Sequence, residues 1–452
     1  MNKLTEPSFS RAEFGEDFVW GVATAAFQIE GAAKTDGRAP SIWDTFCEKE
    51  GAIADGSDGL IACDHYNRLE EDLDHIARLG VNAYRFSVSW SRVQPLGDGP
   101  WNEKGFAFYD RLLSGLERRG IQAHLTLFHW DLPQALDDRG GWLNHEVLDC
   151  FVEYASEVCR RFGHRLASIC TFNEPWVISI LGYEQGVFAP GLKDRSVAMQ
   201  VAHNILVTHG RAIRAIRGIS PALSAGIVLN MSPIYAASDD PGDVEKAKID
   251  DGLIVRWYMD AICHGRYPED VVAHLGQDMP VIGKTDMSDT SERVDFIGVN
   301  YYTRNFSSTG NPWDVASTGN QVTDMGWEVY PDGLCELLCR LNDDYEIETL
   351  MVTENGAAFK DVVVDGQVND LDRQSYIQSH ISATLEARRR GVPVKGYFVW
   401  SLLDNFEWAS GYEKRFGIIH VDYESLKRTP KASSLWLAEY LSGGSESWHQ
   451  SH

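Results

Sequence analysis

Eight short apolar segments alternate along this chain with stretches that have the periodicity of amphipathic helices. Most of the apolar segments are nearly continuous, which is typical of parallel strands buried on both faces. We predict strands at Phe18–Ala26, Ala83–Trp90, Gln122–His129, Ser168–Glu174, Leu223–Asn230, Asp295–Thr303, Thr349–Glu354 and Val394–Ser401. A predicted helix follows each strand, at Asp64–Gly80, Phe106–Gly120, His145–Phe162, Ser196–Ser220, Asp243–Gly265, Pro331–Tyr345, Leu371–Gly391 and Lys431–Leu441.

Eight strand and helix pairs favour a closed barrel over an open sheet. The segment after the first strand, GVATAAFQIEG, also lacks the Gly-rich phosphate-binding turn of a doubly wound sheet. The predicted fold is therefore a single α/β domain, a (β/α)8 TIM barrel with elongated βα loops. We predict an N-terminal extension over residues 1–13, the barrel over 14–441 and a disordered tail over 442–452.

The composition and charge exclude several kinds of partner. The 41 Lys and Arg residues against 66 Asp and Glu residues give a net charge of −25, which does not suit nucleic acid or an anionic membrane. The N-terminal segment has no apolar run of the kind found in signal peptides, and no stretch approaches the roughly 20 apolar residues of a membrane span. The eight cysteines form no CxxC pair and are interpreted as thiols in a reducing compartment. We expect a cytoplasmic protein, and the oligomeric state stays open.

In a barrel of this kind, functional side chains come from the C-terminal ends of the strands. These ends are rich in amides, carboxylates and indoles, and they carry Gln28, Trp90, His129, Trp130, Asn173, Glu174, Asn230, Asn300, Tyr301, Tyr302, Glu354, Asn355, Trp400, Glu407 and Trp408. They include no zinc-spaced Cys/His cluster, no carboxylate cage for magnesium and no Schiff-base lysine, so we expect no metal and no cofactor. Amides and carboxylates can bridge neighbouring sugar hydroxyls, and indole faces suit the C–H face of a sugar ring.

Glu174 and Glu354 stand at the ends of the fourth and seventh predicted strands. Glycoside hydrolysis needs two carboxyl groups, and carboxyls at these ends could approach to about 5 Å, the separation of retaining enzymes. Each residue has a plainer interpretation: a single Glu at a strand end is often a loop residue. His129 could equally be a core histidine with satisfied hydrogen bonds, and Asn300 could be a turn residue.

Four segments resemble the β-glucosidases of glycoside hydrolase family 1, and the resemblance extends from about Phe14 to Leu441. FVWGVATAAFQIEG, which contains Gln28, is similar to the N-terminal signature of the family. TFNEP at 171–175 resembles its acid/base motif, and VTENG at 352–356 its nucleophile motif. WSLLDNFEWASGYEKRFG at 400–417 resembles its sugar-binding segment. The resemblance is specific because the four motifs occur in order and at predicted strand ends.

The resemblance implies a retaining β-glycosidase. Glu174 would protonate the leaving group and later activate water, and Glu354 would form the glycosyl-enzyme intermediate. Asn173 would hold the 2-hydroxyl, Tyr302 would hydrogen-bond Glu354, and Arg85 would place positive charge beside it. The other implied sugar contacts are Gln28, His129 and Glu407 to the 3-, 4- and 6-hydroxyls, Trp130 and Trp408 beside them, Asn300 in the same site, Trp400 under the ring and Trp327 at the aglycone entrance.

The expected substrates are cellobiose, short β-glucosides and aryl β-glucosides, with side activity on β-galactosides and β-fucosides. The family's thio-glycosidase branch replaces the acid/base Glu with Gln, so Glu174 indicates an O-glycosidase. Its 6-phospho branch lacks the Glu-Trp pair, so Glu407 and Trp408 favour an unphosphorylated sugar, and we interpret Lys414 and Arg415 as structural. An inactive sugar-binding relative and a 6-phospho-β-glycosidase are the alternatives, and transglycosylation stays open.

Overall fold

A computed structural model describes residues 9–443 and has the closed barrel that the sequence predicts. Eight parallel strands pair in chain order around the barrel, and the first strand also pairs with the last. They are β1 (Val19–Ala23), β2 (Ala83–Ser87), β3 (Gln122–Phe128), β4 (Ser168–Asn173), β5 (Ser224–Asn230), β6 (Phe296–Asn300), β7 (Leu350–Asn355) and β8 (Val394–Trp400). The predicted (β/α)8 architecture is confirmed.

Helices cover the outside of the barrel and fill its loops. The longer ones are α1 (Leu69–Arg78), α2 (Glu103–Arg118), α3 (His145–Phe162), α4 (Arg195–Ile219), α5 (Pro241–Asp251), α6 (Trp257–His264), α7 (Pro331–Asp344), α8 (Leu371–Arg389) and α9 (Ala432–Ser442). Shorter helices lie at Ala26–Ile29, Ile42–Cys47, Trp90–Val93, Gln134–Asp137, Glu269–Leu275 and Asp286–Thr290. The sequence predicts one helix over Asp243–Gly265, whereas the structure joins α5 to α6 through a π-helical segment at Gly252–Arg256.

Short strand pairs occur in the loops, and these the sequence analysis does not predict. They are Ile234–Ala236 with Asn305–Ser307, Val363–Val364 with Gln367–Val368, and Ile419–Val421 with Arg428–Pro430. A second π-helical segment, Val177–Glu184, follows β4. These elements give the long loops after β4, β5, β6, β7 and β8 a defined backbone at the mouth of the barrel.

Burial on both faces of the strands produces two apolar layers. The larger layer lies between strands and helices and includes Val22, Leu73 and Leu338. The smaller layer is formed by side chains from most of the barrel strands, among them Ala83, Cys170, Val228, Phe296, Met351 and Phe398. The barrel is therefore packed with side chains at its centre, and space for a ligand is left at its mouth.

The two ends of the described chain meet at the base of the fold. Arg11–Phe14 form a short 3-10 helix, and the guanidinium of Arg11 donates to the carbonyl oxygen of Leu441 at 2.6 Å. Part of the predicted N-terminal extension thus packs against α9. Of the predicted tail, residues 444–452 lie outside the described residues. Between residues 9 and 443, no helix combines the length and apolar character needed to cross a membrane.

A buried cluster of charges fastens α9 to the loops after β7 and β8. The ammonium of Lys431 is fully buried, contacts Asp361, and lies 2.7 Å from a carboxylate oxygen of Asp404. Arg373, at the start of α8, pairs with Asp361 at 3.0 Å and with Asp370. Asp404 also accepts the backbone N–H of Gly417 at 3.0 Å. Because these charges have no access to water, each depends on its partners.

Lys431→Met should lower the free energy of unfolding by about 3–5 kcal/mol, because it removes the buried cation that Asp361 and Asp404 share. Urea titration followed by circular dichroism measures the change. Lys427→Met is the matched control, since Lys427 is exposed, and it should change stability by less than about 0.5 kcal/mol. Equal, small effects of the two substitutions would contradict a structural role for the cluster.

Candidate active site

A cavity of about 330 Å³ opens at the C-terminal ends of the barrel strands. Most of the predicted site residues line it, namely His129, Trp130, Glu174, Asn300, Tyr302, Trp327, Glu354, Trp400, Glu407 and Trp408. The other three, Gln28, Arg85 and Asn173, are buried and hydrogen-bond to residues of the lining. The structure thus brings all the predicted site residues to one place.

Three residues of the site have positive backbone φ angles although none is glycine. They are Trp130 (φ 81°), Glu174 (φ 54°) and Trp408 (φ 49°). This conformation costs a residue with a side chain on the order of 1–3 kcal/mol. Glu174 is predicted as the last residue of a strand, but β4 ends at Asn173 and the chain turns there. Packing around the mouth, rather than local preference, therefore holds these side chains in place.

Two donors hold the carboxylate of Glu354, which lies on β7 and is only 3% exposed. A guanidinium nitrogen of Arg85, on β2, donates to one of its oxygens at 2.6 Å. The hydroxyl of Tyr302 donates to the other oxygen at 2.6 Å. Each carboxylate oxygen thus accepts one hydrogen bond, and these two bonds fix the orientation of the Glu354 side chain.

Asn173 connects the two carboxyl groups. Its side-chain oxygen accepts from Arg85 at 2.7 Å and from the amide of Asn300 at 3.1 Å. The same Asn300 amide donates to a carboxyl oxygen of Glu174 at 2.6 Å. Because Arg85 reaches both Glu354 and Asn173 with one planar group, and Asn300 reaches both Asn173 and Glu174, the two glutamates share one small buried space.

Burial and mutual repulsion dominate the electrostatics of this space. Burial, followed by the charge of Glu354, raises the pKa of Glu174 to about 8, although Asn300 and Arg85 act to lower it. Burial and the same charge raise the pKa of Glu407 to about 8. Glu174 therefore holds its proton at neutral pH, as a proton donor in this position must.

Two buried polar atoms of the predicted sugar-binding set have no hydrogen-bond partner within residues 9–443, the side-chain oxygen of Gln28 and Nδ1 of His129. The Gln28 amide nitrogen donates to Asn405 at 3.0 Å and to the carbonyl of Phe406 at 2.9 Å. The Asn173 amide lies 3.2 Å from Nε2 of His129 and can only donate, so Nδ1 carries the ring proton. Burial lowers the pKa of His129, which keeps the ring neutral. One free acceptor and one free donor thus remain for a polyhydroxylated ligand.

Aromatic rings form the walls around these polar groups. The ring of His129 stacks on Trp400 and on Trp408, with centroids 5.7 Å and 5.9 Å apart. Trp130 packs on Trp408 at 4.6 Å. The indole N–H of Trp130 donates to the carbonyl of Asn173 at 2.9 Å. Rigid apolar faces beside directional polar groups suit a sugar ring, which has C–H and O–H sides.

The outer part of the cavity contains residues that the sequence analysis does not single out. They are mainly apolar and include Trp176, Val177, Leu181, Phe188, Met231, Ile254, Met325 and Phe416. Phe416 lies inside the quoted 400–417 segment and Trp176 directly follows the TFNEP motif, so proximity to a motif was the one available signal for these two residues. Ile254 belongs to the π-helical segment and Met325 to a loop, and neither is marked by periodicity or by a strand end.

The two basic residues after Trp408 have structural partners, which agrees with their interpretation as structural. Lys414 donates to the carbonyl of Asp324 at 2.8 Å. Arg415 pairs with Asp404 at 2.7 Å and donates to the carbonyl of Val421 at 2.9 Å.

Within residues 9–443, no group of three His, Cys, Asp or Glu side chains is arranged to hold a metal ion.

The site has a protonated carboxyl group beside an oriented carboxylate, and aromatic rings line its walls. This combination is typical of enzymes that act on glycosides. Comparison with known proteins identifies the family. The model of glycosyl hydrolase family 1 matches residues 10–444, so the chain belongs to that family, as its motifs predict.

The most similar relatives include bacterial β-glucosidases that match over nearly their full length. "Beta-glucosidase A" of Acetivibrio thermocellus is 42% identical over 442 residues, which cover 96% of this chain and 99% of the relative. "Beta-glucosidase A" of Thermotoga maritima is 44% identical and covers 95% of this chain and 98% of the relative. The solved structure of the Thermotoga maritima enzyme in complex with glucoimidazole has a TM-score of 0.92 at 42% identity, covering 95% of this chain and 98% of that one.

Glu354→Gln should lower the pKa of Glu174, because it removes the adjacent negative charge and leaves the carboxyl buried. With less repulsion the proton leaves at lower pH, and carbon-13 NMR of labelled glutamate carboxyls across a pH series measures the shift. Glu413→Gln, which removes an exposed carboxylate after β8, should leave the titration unchanged. An unaltered Glu174 pKa in Glu354→Gln would mean that burial alone sets it.

Proposed function

We propose that this chain is a retaining exo-β-glycosidase that releases β-D-glucose from the non-reducing end of cellobiose, short β-glucosides and aryl β-glucosides. As a member of glycosyl hydrolase family 1, it is an enzyme of the β-glucosidase class. The observation that carries the finer proposal is the pair of buried glutamates, Glu174 with a raised pKa and Glu354 hydrogen-bonded by Arg85 and Tyr302.

In the first step, Glu354 attacks the anomeric carbon while Glu174 gives its proton to the leaving oxygen. Two oriented hydrogen bonds hold the attacking carboxylate, so little entropy is lost in aligning it. Asn173 is held by Arg85 and Asn300, and it would contact the 2-hydroxyl, a contact that strengthens as positive charge develops on the ring.

In the second step, Glu174 acts as a base and water releases the sugar from Glu354. Esterification removes the negative charge of Glu354, which is the second largest cause of the raised Glu174 pKa. The pKa of Glu174 therefore falls once the intermediate forms, so the carboxylate that remains after proton donation stays ionised and can accept a proton from the attacking water. One electrostatic interaction thus serves both halves of the cycle.

The glycone preference rests on Gln28, His129 and Glu407. The free Gln28 oxygen and His129 N–H can bind neighbouring hydroxyls, and Glu407 lies 3.4 Å from the Gln28 amide. Trp400 would lie under the ring, with Trp130 and Trp408 beside it. Since Glu407 can reach the 4- and 6-hydroxyls, we propose side activity on β-galactosides and β-fucosides, and transglycosylation where a sugar reaches the intermediate before water.

Two other functions fit the site less well. A 6-phospho-β-glycosidase would place a phosphate near Glu407 and Trp408, where the carboxyl group of Glu407 supplies no positive charge for it, and Lys414 and Arg415 already have partners. An inactive sugar-binding relative would not need the paired carboxyls.

We further propose a cytoplasmic location and a role in the breakdown of cellulose-derived oligosaccharides, without cofactor or nucleic-acid partner.

A substrate panel tests the glycone assignment. We expect kcat/KM to be highest for β-glucosides, lower but measurable for β-galactosides and β-fucosides, and at least about 100-fold lower for 6-phospho-β-glucosides, because a phosphate would meet Glu407. Product analysis at high cellobiose concentration measures transglycosylation. Preference for the 6-phosphoglucoside would overturn the assignment, and no turnover of any glycoside would favour the inactive relative.

Substitutions of the two glutamates should affect activity differently, because only the effect of replacing Glu174 should depend on the leaving group. Glu354→Gln should reduce kcat on every glucoside by on the order of 10⁴-fold or more, because no covalent intermediate can form. Glu174→Ala should reduce hydrolysis of alkyl glucosides similarly but spare the first step on 2,4-dinitrophenyl glucoside, whose leaving group needs no proton.

Azide distinguishes the two roles. It should restore turnover of 2,4-dinitrophenyl glucoside in Glu174→Ala and give the β-glucosyl azide, because a small anion can attack the intermediate without a general base. It should not give this product in Glu354→Gln. Equal loss on activated and unactivated glucosides, with no rescue by azide, would refute the acid/base assignment of Glu174.

A further inference from the structure

A tight turn at 323–327 carries two side chains of the outer cavity, Met325 and Trp327. The backbone N–H of Thr323 donates to the carbonyl of Trp327 at 2.8 Å, and the Trp327 N–H donates to the Thr323 hydroxyl at 3.2 Å. Gly326, at φ 78°, donates to the Thr323 carbonyl at 2.9 Å. Because the turn is closed by its own hydrogen bonds, fixing one of its residues fixes Trp327.

Asp324, the second residue of this turn, is held by the segment that follows β8. The ammonium of Lys414 donates to the backbone carbonyl of Asp324 at 2.8 Å and lies 3.4 Å from its carboxylate. The Asp324 N–H donates to the carbonyl of Ala358, on the loop that follows Glu354, at 2.9 Å. The Lys414 and Asp324 side chains are only 25% and 19% exposed, so the contact is shielded from bulk water. We call this Lys414–Asp324 contact the clasp.

Aromatic packing connects the 323–327 turn and the segment of Lys414 to Tyr302, which holds Glu354. Phe416, two residues after Lys414, is 2% exposed, and its ring centroid lies 6.1 Å from that of Trp327 and 6.0 Å from that of Tyr302. Tyr302 packs on Trp327 at 5.4 Å and donates to Glu354. The part of the cavity wall formed by Trp327 is thus in contact with the residue that orients Glu354.

The residue on the other side of Trp327 is anchored separately. Glu328 is 2% exposed and makes two hydrogen bonds with the guanidinium of Arg304, at 2.8 Å and 3.0 Å. Thr303 donates to the Glu328 carbonyl at 2.9 Å. Both Arg304 and Thr303 follow β6, so this anchor holds the loop to the barrel. The clasp instead ties the loop to the segment that bears Glu407.

We propose that the clasp is a positioning element for the aglycone site: Lys414 holds the 323–327 turn so that Trp327 and Met325 meet the leaving group of a bound glycoside. The pair acts through Trp327 and not on the reacting atoms. It therefore governs the step in which the aglycone is present and leaves the hydrolysis of the intermediate unchanged. This inference rests on the proposed function.

Two substrates separate these steps. With 2,4-dinitrophenyl β-glucoside the leaving group departs readily, so kcat reports hydrolysis of the intermediate, and a pre-steady-state burst of dinitrophenolate verifies this. With cellobiose, kcat/KM reports binding of the aglycone sugar and its departure. The comparison uses the wild-type chain, Lys414→Met, Asp324→Asn, the double variant, and Lys360→Met, which replaces an exposed lysine near Ala358.

Lys414→Met should lower kcat/KM for cellobiose by about fivefold, the effect of losing a partly shielded charge contact, and leave kcat on the dinitrophenyl glucoside within about twofold. Asp324→Asn should have a smaller effect of the same pattern, because the backbone carbonyl still accepts from Lys414. The double variant should match Lys414→Met, since the two groups act through one contact. Lys360→Met should match the wild type.

Several results would overturn the proposal. They are unchanged cellobiose kinetics in Lys414→Met, a parallel loss on both substrates, or additive effects in the double variant. A parallel loss would mean that Lys414 acts through the Glu407 segment or through general stability, and thermal unfolding of each variant identifies the second cause. Absence of wild-type turnover on both substrates would instead refute the proposed function, so the two failures are distinct.

Discussion

The rest of this site depends on the repulsion between two buried carboxyl groups. Glu174 and Glu354 are both buried at the bottom of one cavity, and two like charges are costly in a buried site. The cost is reduced because Glu174 retains a proton and because Arg85 compensates Glu354. Arg85 comes from β2 and the glutamates from the ends of β4 and β7, so only a closed barrel brings these groups together.

The energetic cost of holding these charged groups is offset by stabilising contacts elsewhere in the fold. Glu174 adopts a left-handed backbone conformation that its own sequence does not favour. On the far side of the site, Glu407 belongs to a segment that is fastened through Asp404 to the buried Lys431. The stability of those outer contacts offsets the strain and the like charges at the mouth, a trade that is common in functional sites.

How far the sequence predicts this structure differs between its parts. The eight strands were predictable because burial on both faces leaves continuous apolar runs. The polar side chains were predictable because a barrel collects strand ends on one side. The hydrogen bonds through Asn173 and Asn300 were not, since they depend on side-chain distances across strands. Nor were Ile254 and Met325, because they lie in a π-helical segment and in a loop, where neither periodicity nor strand ends mark a position.

The strand ends and the loops of this site also differ in how firmly their backbone is held, and this difference bears on substrate choice. The groups proposed to surround the sugar ring come mainly from strand ends and the residues that follow them, where neighbouring strands fix the backbone on both sides. The groups around the leaving group lie on loops whose backbone is fixed by a few contacts, such as the carbonyl of Asp324 with Lys414. Loops can change sequence without loss of the barrel. The positions of the reacting groups are therefore set by the barrel, while the proposed preference for the leaving group can vary independently through Trp327 and its neighbours.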